Sequence, residues 1–233
     1  MDKLAIFVEG QAEQIFVERL LLAIAGAHQV HVDTVHAFGG RITPRTWVEV
    51  EAHRPDPGKK YYVIIYDCMG DGKVLSDIRD HYDNLVSQGF KDIIGIRDVT
   101  PRPATDIPTI RQDFEFFSPK RPVRPLLVLA IMEIESWFLG EQTHFSRYNQ
   151  SLTPQRVTEC LGYDLGTQDL ESIPSPVADL NKVYGLVGKG YSKSRKQVER
   201  TVDHLDYGRF YDDLPLRLSD LANLVSHINS FLN

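Results

Sequence analysis

The chain has 233 residues, of which 42% are hydrophobic and 25% charged, and its formal net charge is −6. This composition is that of a folded globular protein and argues against a disordered chain or a uniformly basic nucleic-acid binder. Its 2 cysteines do not make a disulfide framework. No signal peptide is recognised, and no apolar run approaches the ~20 residues of a membrane span, so we expect a cytoplasmic protein without membrane contact.

The first part of the chain alternates between strand and helix patterns. Residues 3–8 predict a strand, and residues 11–27 predict a helix because their apolar side chains recur at helical spacing. Residues 30–35 alternate in polarity and predict a second strand. Residues 44–53 are expected to form a short helix, and the sequence RPDPGKK at 54–60 predicts a turn.

The same alternation continues through the middle of the chain. Three further strands are predicted, at residues 61–66, 92–99 and 125–132, with a helix at residues 73–88. Residues 61–66 are continuously apolar, which is typical of a strand that is covered on both faces. Residues 100–124 are rich in proline and polar side chains and have no clear assignment.

Strands that alternate with helices predict an α/β fold with a mostly parallel sheet flanked by helices. Strand patterns largely disappear after about residue 140, and the remaining sequence is typical of helices and loops. We therefore expect an α/β core at residues 1–140 and a helical extension at residues 141–233. The extension is expected to pack on the core and not to form an independent domain.

Acidic residues lie at or just past the carboxyl ends of four of the predicted strands. They are Glu9, Asp67, Asp98 and Glu133, and Asp71 lies in the loop after Asp67. Parallel strands end at one edge of a sheet with a spacing of ~4.8 Å, so carboxylates at neighbouring ends can share a cation. Oxygen ligands suit Mg²⁺ or Mn²⁺ and not zinc or copper. The sequence therefore predicts a carboxylate site for Mg²⁺ or Mn²⁺.

Structural explanations compete with this prediction at several acids. Glu13, in the first helical turn, is better explained by the helix dipole. Asp71 could be a turn residue, and Asp98 could form an ion pair with a cation such as Arg97. Glu9 and Asp67 are harder to explain in this way because each follows directly on a buried strand.

Several strings in the chain resemble a known fold family. VEGQAE at residues 8–13 resembles the first Toprim motif, and DCMGD at residues 67–71 resembles the second. IMEIESWFLG at residues 131–140, YSK at 191–193 and FL at 231–232 resemble a bacterial Toprim-like family that is often encoded beside ATPases. The resemblance covers nearly the whole chain, and its similarity to overcoming-lysogenization-defect nucleases is more distant.

The resemblance implies a Mg²⁺-dependent phosphodiester hydrolase, a nuclease in bacterial defence or DNA maintenance. It gives Glu9 the role of general acid and base beside the metal, and it gives Asp67 the role of a metal ligand. The usual Asp-x-Asp motif is replaced here by aspartates four positions apart. Asp71 must then reach in from its loop, or Asp98 or Glu133 must take its place as a ligand.

A basic segment at residues 182–209 contains seven basic and three acidic residues, with Tyr184, Tyr191 and Tyr207 interleaved. Such a pattern favours contact with a phosphate backbone, although a solvated helix face would look the same. The nucleic-acid-binding candidates are Lys189, Lys193, Arg195 and Lys196.

DNA is the favoured nucleic acid over RNA, and an ATPase is a candidate protein partner. The alternative function is a non-catalytic Toprim-like subunit that binds an ATPase or nucleic acid. The altered second motif favours this alternative, whereas the Glu9-Gly10 pair and the later acids favour an enzyme. Whether the chain forms an oligomer is left open.

Overall fold

The computed structural model describes residues 1–26, 29–39, 45–51, 58–70 and 72–233. Its centre is a six-stranded, mostly parallel sheet flanked by helices, which confirms the predicted α/β class. The strands are β1 Asp2–Val8, β2 Val30–Phe38, β3 Thr46–Glu51, β4 Tyr61–Asp67, β5 Asp92–Asp98 and β6 Leu126–Ala130.

Along the chain, α-helices follow the strands β1, β4, β5 and β6. The α-helices are α1 Gln11–Ala25, α2 Val74–Ser87, α3 Ile107–Phe117, α4 Glu135–Gly140, α5 Thr143–Tyr148, α6 Pro154–Leu161, α7 Pro176–Gly185, α8 Arg195–Val202, α9 Tyr207–Asp212 and α10 Ser219–Leu232. None of the helices in the described parts of the chain is long and apolar enough to cross a membrane. Cys68 and Cys160 are both free thiols.

The strand order in the sheet is β3-β2-β4-β1-β5-β6. Strand β1 is parallel to both β4 and β5, and β2 is parallel to β4, whereas β3 is antiparallel to β2. The central strand β1 is fully buried from Leu4 to Val8, as expected for a strand with helices on both faces. Val8 is in register with Asp67, so the carboxyl ends of β1 and β4 lie side by side.

The predicted helix at residues 44–53 is wrong over its described part, because Thr46–Glu51 forms strand β3. The alternation of β-branched and aromatic residues with glutamates in TWVEVE is a strand pattern, and pairing with β2 satisfies its backbone. Residues 52–57, which hold most of the predicted turn, lie outside the described residues. The unassigned proline-rich passage contains α3, which begins with a proline in its first turn.

The chain divides into two compact units that interleave along the sequence. Unit 1 comprises residues 1–97, 105–129 and 226–233, and unit 2 comprises residues 98–104 and 130–225. Unit 1 holds most of the sheet with α1, α2 and α3, and unit 2 holds the helices α4 to α9. The expected domain boundary near residue 140 stays a prediction.

Candidate metal centre

Three carboxylates come together in unit 2. Asp98 is the last residue of β5, Glu133 lies in the turn after β6, and Glu135 is the first residue of α4. Each offers one carboxylate oxygen, and these oxygens lie within 4.8 Å of one another. Asp98 and Glu133 are both among the predicted site residues, whereas Glu135 is not. We call these three residues the acid triad.

Backbone hydrogen bonds hold the acid triad in place. The amide of Ile134 donates to Asp98 Oδ1 at 2.9 Å, which fixes one carboxylate against the turn that carries the other two. Met132, in that turn, has a φ of 64°, a left-handed conformation that non-glycine residues adopt at a cost. The segment after β5 is joined to the segment after β6 by hydrogen bonds from Val99 N to Ala130 O at 3.1 Å and from Thr100 N to Met132 O at 3.0 Å.

The ammonium group of Lys193 lies among the three carboxylates. Its Nζ is 3.0 Å from Glu135 Oε2, 3.3 Å from Glu133 Oε1 and 3.5 Å from Asp98 Oδ2. Glu135 is fully buried, and its other oxygen accepts a hydrogen bond from the Tyr191 hydroxyl at 2.9 Å. When ionised, these three acids and one lysine carry a formal charge of −2. Buried carboxylates need such cations, because desolvated charge of one sign is costly.

The loop before α8 presents Lys193 to the acid triad. The φ of Lys193 is 58°, in the left-handed region that costs a lysine roughly 1–2 kcal/mol. The residues just before it are held by side chains: Tyr191 N donates to Asn181 Oδ1 at 2.9 Å, and Ser192 N donates to Gln197 Oε1 at 2.6 Å. The loop therefore holds a strained lysine in one place, which is a feature of functional sites.

The acid triad could hold a metal ion. All of its donors are carboxylate oxygens, which is the donor set of hard cations such as Mg²⁺, Mn²⁺ or Ca²⁺. Glu135 is fully buried, and its Oε2 lies 3.0 Å from the positive charge of Lys193. When ionised, the three carboxylates attract a divalent cation strongly, because all of their charge has one sign.

A second pair of acids lies in unit 1, where β1 and β4 end. Cys68 N donates to Val8 O at 2.9 Å and Gly70 N donates to Glu9 O at 3.1 Å, so the loops that follow the two strands stay joined. Glu9 and Asp67 are both buried at these strand ends. The sequence therefore placed both acids correctly at carboxyl ends of neighbouring parallel strands.

Each acid of this pair faces a basic side chain. Asp67 Oδ1 accepts from Met69 N at 3.0 Å, and Asp67 Oδ2 lies 3.7 Å from His36 Nε2. Glu9 Oε2 lies 3.8 Å from the Nε of Arg97. Burial raises the pKa of Asp67 to about 6, against the opposing effect of the Met69 amide. A perturbed carboxyl beside other ionisable groups is typical of a functional site, although structural ion pairs perturb pKa values too.

The other predicted site residues differ in their exposure and in the groups that they contact. Asp71 lies outside the described residues. Lys189 and Lys196 are exposed, whereas Arg195 is paired with Glu199 at 2.8 Å on the surface of α8. The ammonium group of Lys193 faces carboxylates, whereas Lys189 and Lys196 are exposed to solvent.

The tyrosines of the basic segment are mostly core residues. Tyr184 and Tyr191 are buried, so they do not offer a face on which a base could stack. Trp137 is fully buried, as expected for a core residue. Of the three tyrosines in the basic segment, only Tyr207 is accessible enough to contact a base, because it is only half-buried.

Comparison with protein families, with curated proteins and with solved structures finds no match to this chain. The functional argument therefore depends on the residues and geometry described above. Glu135 could have been ranked higher from sequence, because it stands two positions from Glu133 just after an apolar strand. Lys193 gave no such signal, since its carboxylate partners lie about 60 to 95 positions earlier in the chain.

Proposed function

We propose that the protein is a divalent-metal-dependent phosphodiester hydrolase with a Toprim-like core, a nuclease of bacterial defence or DNA maintenance. The observation that carries the proposal is the acid triad, in which three carboxylate oxygens converge within 4.8 Å. Hydrolases that cleave phosphodiesters commonly hold their cations with such oxygens. The motif resemblance supports the phosphodiester substrate class.

The proposed roles follow from the chemistry of each side chain. A bound divalent cation would polarise the phosphate and lower the pKa of the attacking water. Asp98, Glu133 and Glu135 would hold the cation. For Glu9, in unit 1, we keep the role of general acid and base that the resemblance gives it, and Arg97 Nε lies 3.8 Å from its carboxylate.

The resemblance makes Asp67 a metal ligand. Its buried position favours this role, since a cation would offset the cost of ionising the carboxyl group. His36 Nε2 lies 3.7 Å from its Oδ2.

Nucleic acid, and DNA before RNA, is the proposed substrate. The exposed Lys189 and Lys196 support this, because they can neutralise backbone phosphates without losing a partner within the basic segment. An ATPase remains the proposed protein partner on the strength of the motif resemblance. The cytoplasm remains the proposed location.

A cleavage assay tests the proposal. Single- and double-stranded DNA and RNA are incubated with the protein in Mg²⁺, Mn²⁺ or EDTA. We expect metal-dependent cleavage that falls by ~10²–10⁴ in Glu9→Gln, because an amide cannot accept a proton at neutral pH. Glu133→Gln should also lose cleavage and should lose metal-induced thermal stabilisation, since an amide is a weaker ligand.

The matched control is Glu159→Gln, at an exposed position on α6 of unit 2. It should cleave at the wild-type rate and gain the same thermal stabilisation from metal. If the wild type neither cleaves nor gains stability with either ion, the enzyme proposal fails and the non-catalytic subunit becomes the better account. If Glu9→Gln cleaves at the wild-type rate while Glu133→Gln does not, only the proposed proton-transfer role of Glu9 is wrong.

A further inference from the structure

We propose that Lys193 is the resident counter-ion of the acid triad and competes with the metal ion for it. In this view the ammonium neutralises the carboxylates in the metal-free protein, and a divalent cation must displace it to bind. The inference rests on the proposed metal site and adds a residue that sets its affinity.

The positions of the charged groups support competition. Lys193 Nζ lies 3.0 to 3.5 Å from an oxygen of each of the three carboxylates, so one positive charge contacts every ligand of the candidate site. A second cation on the same carboxylates would be held close to this ammonium and would be repelled by it. The ammonium and the metal ion therefore exclude one another from the acid triad.

The side chain of Lys193 has a route out of the acid triad. It is 34% exposed, whereas the Glu135 side chain below it is fully buried. Rotation about the bonds of the lysine stem can carry the ammonium to solvent while the loop backbone stays held by Asn181 and Gln197. Displacement therefore requires a change of rotamer and no unfolding of the loop.

Displacement would also change the basic segment. In the metal-free protein the positive charge of Lys193 is paired with the acid triad. Lys189 and Lys196 are the exposed lysines on either side of it in the sequence. With metal bound, the released ammonium would join them at the surface. Metal binding and phosphate binding would then favour one another, and the coupling would be reciprocal.

The first test measures affinity for Mn²⁺ by titration calorimetry, without nucleic acid. Lys193→Met keeps the length of the apolar stem and removes the charge, so we expect Mn²⁺ to bind ~10-fold tighter or more, because a repelling charge at contact distance is lost. Lys196→Met is the matched control, three residues further in the same basic segment and exposed. Its affinity for Mn²⁺ should equal that of the wild type.

The second test uses the unmodified chain and does not depend on how well the variant folds. The wild type is briefly acetylated with and without saturating Mn²⁺, and each lysine is quantified by mass spectrometry. Lys193 should be protected in the metal-free protein and should become reactive when Mn²⁺ binds. Lys196 should react equally in both samples.

The outcomes separate this inference from the proposed function. If Lys193→Met binds Mn²⁺ no more tightly than the wild type, or if Mn²⁺ leaves the labelling of Lys193 unchanged, competition is overturned. Metal-dependent cleavage by the wild type would survive either result. A wild type that neither binds Mn²⁺ nor cleaves nucleic acid would overturn both proposals.

Discussion

Asp67 is a single residue whose burial carries an electrostatic cost for the fold. Its side chain is fully buried at the end of β4, where an apolar residue would pack at no electrostatic cost. Burial raises its pKa to about 6, so the carboxyl is largely ionised at neutral pH and the fold bears the cost of a desolvated charge. Proteins keep such groups where a ligand or a reaction uses the charge.

Asp67→Asn should therefore stabilise the metal-free protein at pH 8, by about 3 kcal/mol at most for a shift of this size. The folded protein binds the proton of Asp67 more tightly than the unfolded chain does. Acidification through pH 6 therefore favours the wild-type fold, and the advantage of Asn should shrink and vanish below about pH 4.

Urea unfolding in EDTA at pH 8, 6 and 4 measures this difference in the free energy of unfolding. Asp83→Asn is the control, because Asp83 is exposed on α2 and its replacement should change stability little at any of these pH values. An Asp67→Asn protein that is less stable at pH 8, or whose advantage does not depend on pH, would contradict the interpretation.

The residue scale also shows what the sequence predicts about position. Glu9, Asp67 and Asp98 lie at strand ends as predicted, because an acid at the end of an apolar strand has a predictable place in a parallel sheet, whereas the site roles of Glu9 and Asp67 stay predictions. The ion pair of Lys193 with Glu135 was not predictable, since periodicity specifies faces of elements and not which distant loop meets them.

The packing of β5 against α2 is decided by a glycine. A Cβ on Gly95 would lie 2.8 Å from Val74 Cγ1 and 2.9 Å from Ile78 Cδ1, closer than real Cβ atoms approach. Val74 and Ile78 are both buried on the face of α2 that covers the sheet. The helix therefore sits directly on the backbone of β5.

Gly95→Ala should destabilise the protein by about 1–3 kcal/mol, because overpacking forces α2 or its side chains away from the sheet. Thermal or urea unfolding gives the change. Gly185→Ala is the comparison, since a Cβ at the end of α7 meets nothing within 4 Å and helix propensity favours alanine over glycine. If Gly95→Ala is as stable as the wild type, α2 can move away from the added methyl group without a cost in stability.

Elements with long, regular patterns were predicted well, and elements with short or mixed patterns were not. β1, α1, β4, α2 and β5 all match the predicted positions within one or two residues. β3 was missed because six alternating residues between prolines also fit a short amphipathic helix. α3 was missed because its surroundings contain many prolines, although a proline in the first helical turn is favourable.

At the scale of the whole molecule, each unit contains a buried group whose pKa is shifted, and the two groups respond to acid in opposite ways. Unit 2 contains His144, which is fully buried and whose Nδ1 donates to Glu141 O. Burial lowers the pKa of His144 to about 3. The unfolded chain takes up this proton near pH 6.5, so His144 costs the fold stability as pH falls below that value, opposite in sign to Asp67.

His144→Asn should flatten the loss of stability in acid. Asparagine can retain a polar contact to Glu141 O, so the variant should fold, with lower stability at pH 7.5 from lost ring packing. Between pH 6.5 and 4 its free energy of unfolding should fall less steeply than that of the wild type, by up to about 1.4 kcal/mol per pH unit.

Urea unfolding across this pH range gives the slope. Parallel slopes for His144→Asn and the wild type would mean that His144 is not the group responsible.

The α/β class of the whole chain followed from the sequence, but the interleaving of its units did not. Hydrophobic patterns identify elements one at a time, whereas the assignment of residues 98–104 to unit 2 and of 226–233 to unit 1 depends on contacts between distant segments. A boundary drawn where strand patterns end cannot recover a unit made of separate pieces.

This interleaving has a consequence for folding during synthesis on the ribosome. The long second piece of unit 2, residues 130–225, emerges in full before residues 226–233, which complete unit 1. Those last residues make specific contacts with the start of β4: the Tyr61 hydroxyl donates to Leu232 O, and the rings of Tyr61 and Phe231 lie 5.3 Å apart. The unit that begins first is therefore finished last, and Tyr61 of β4 meets Leu232 only after 171 further residues have been translated.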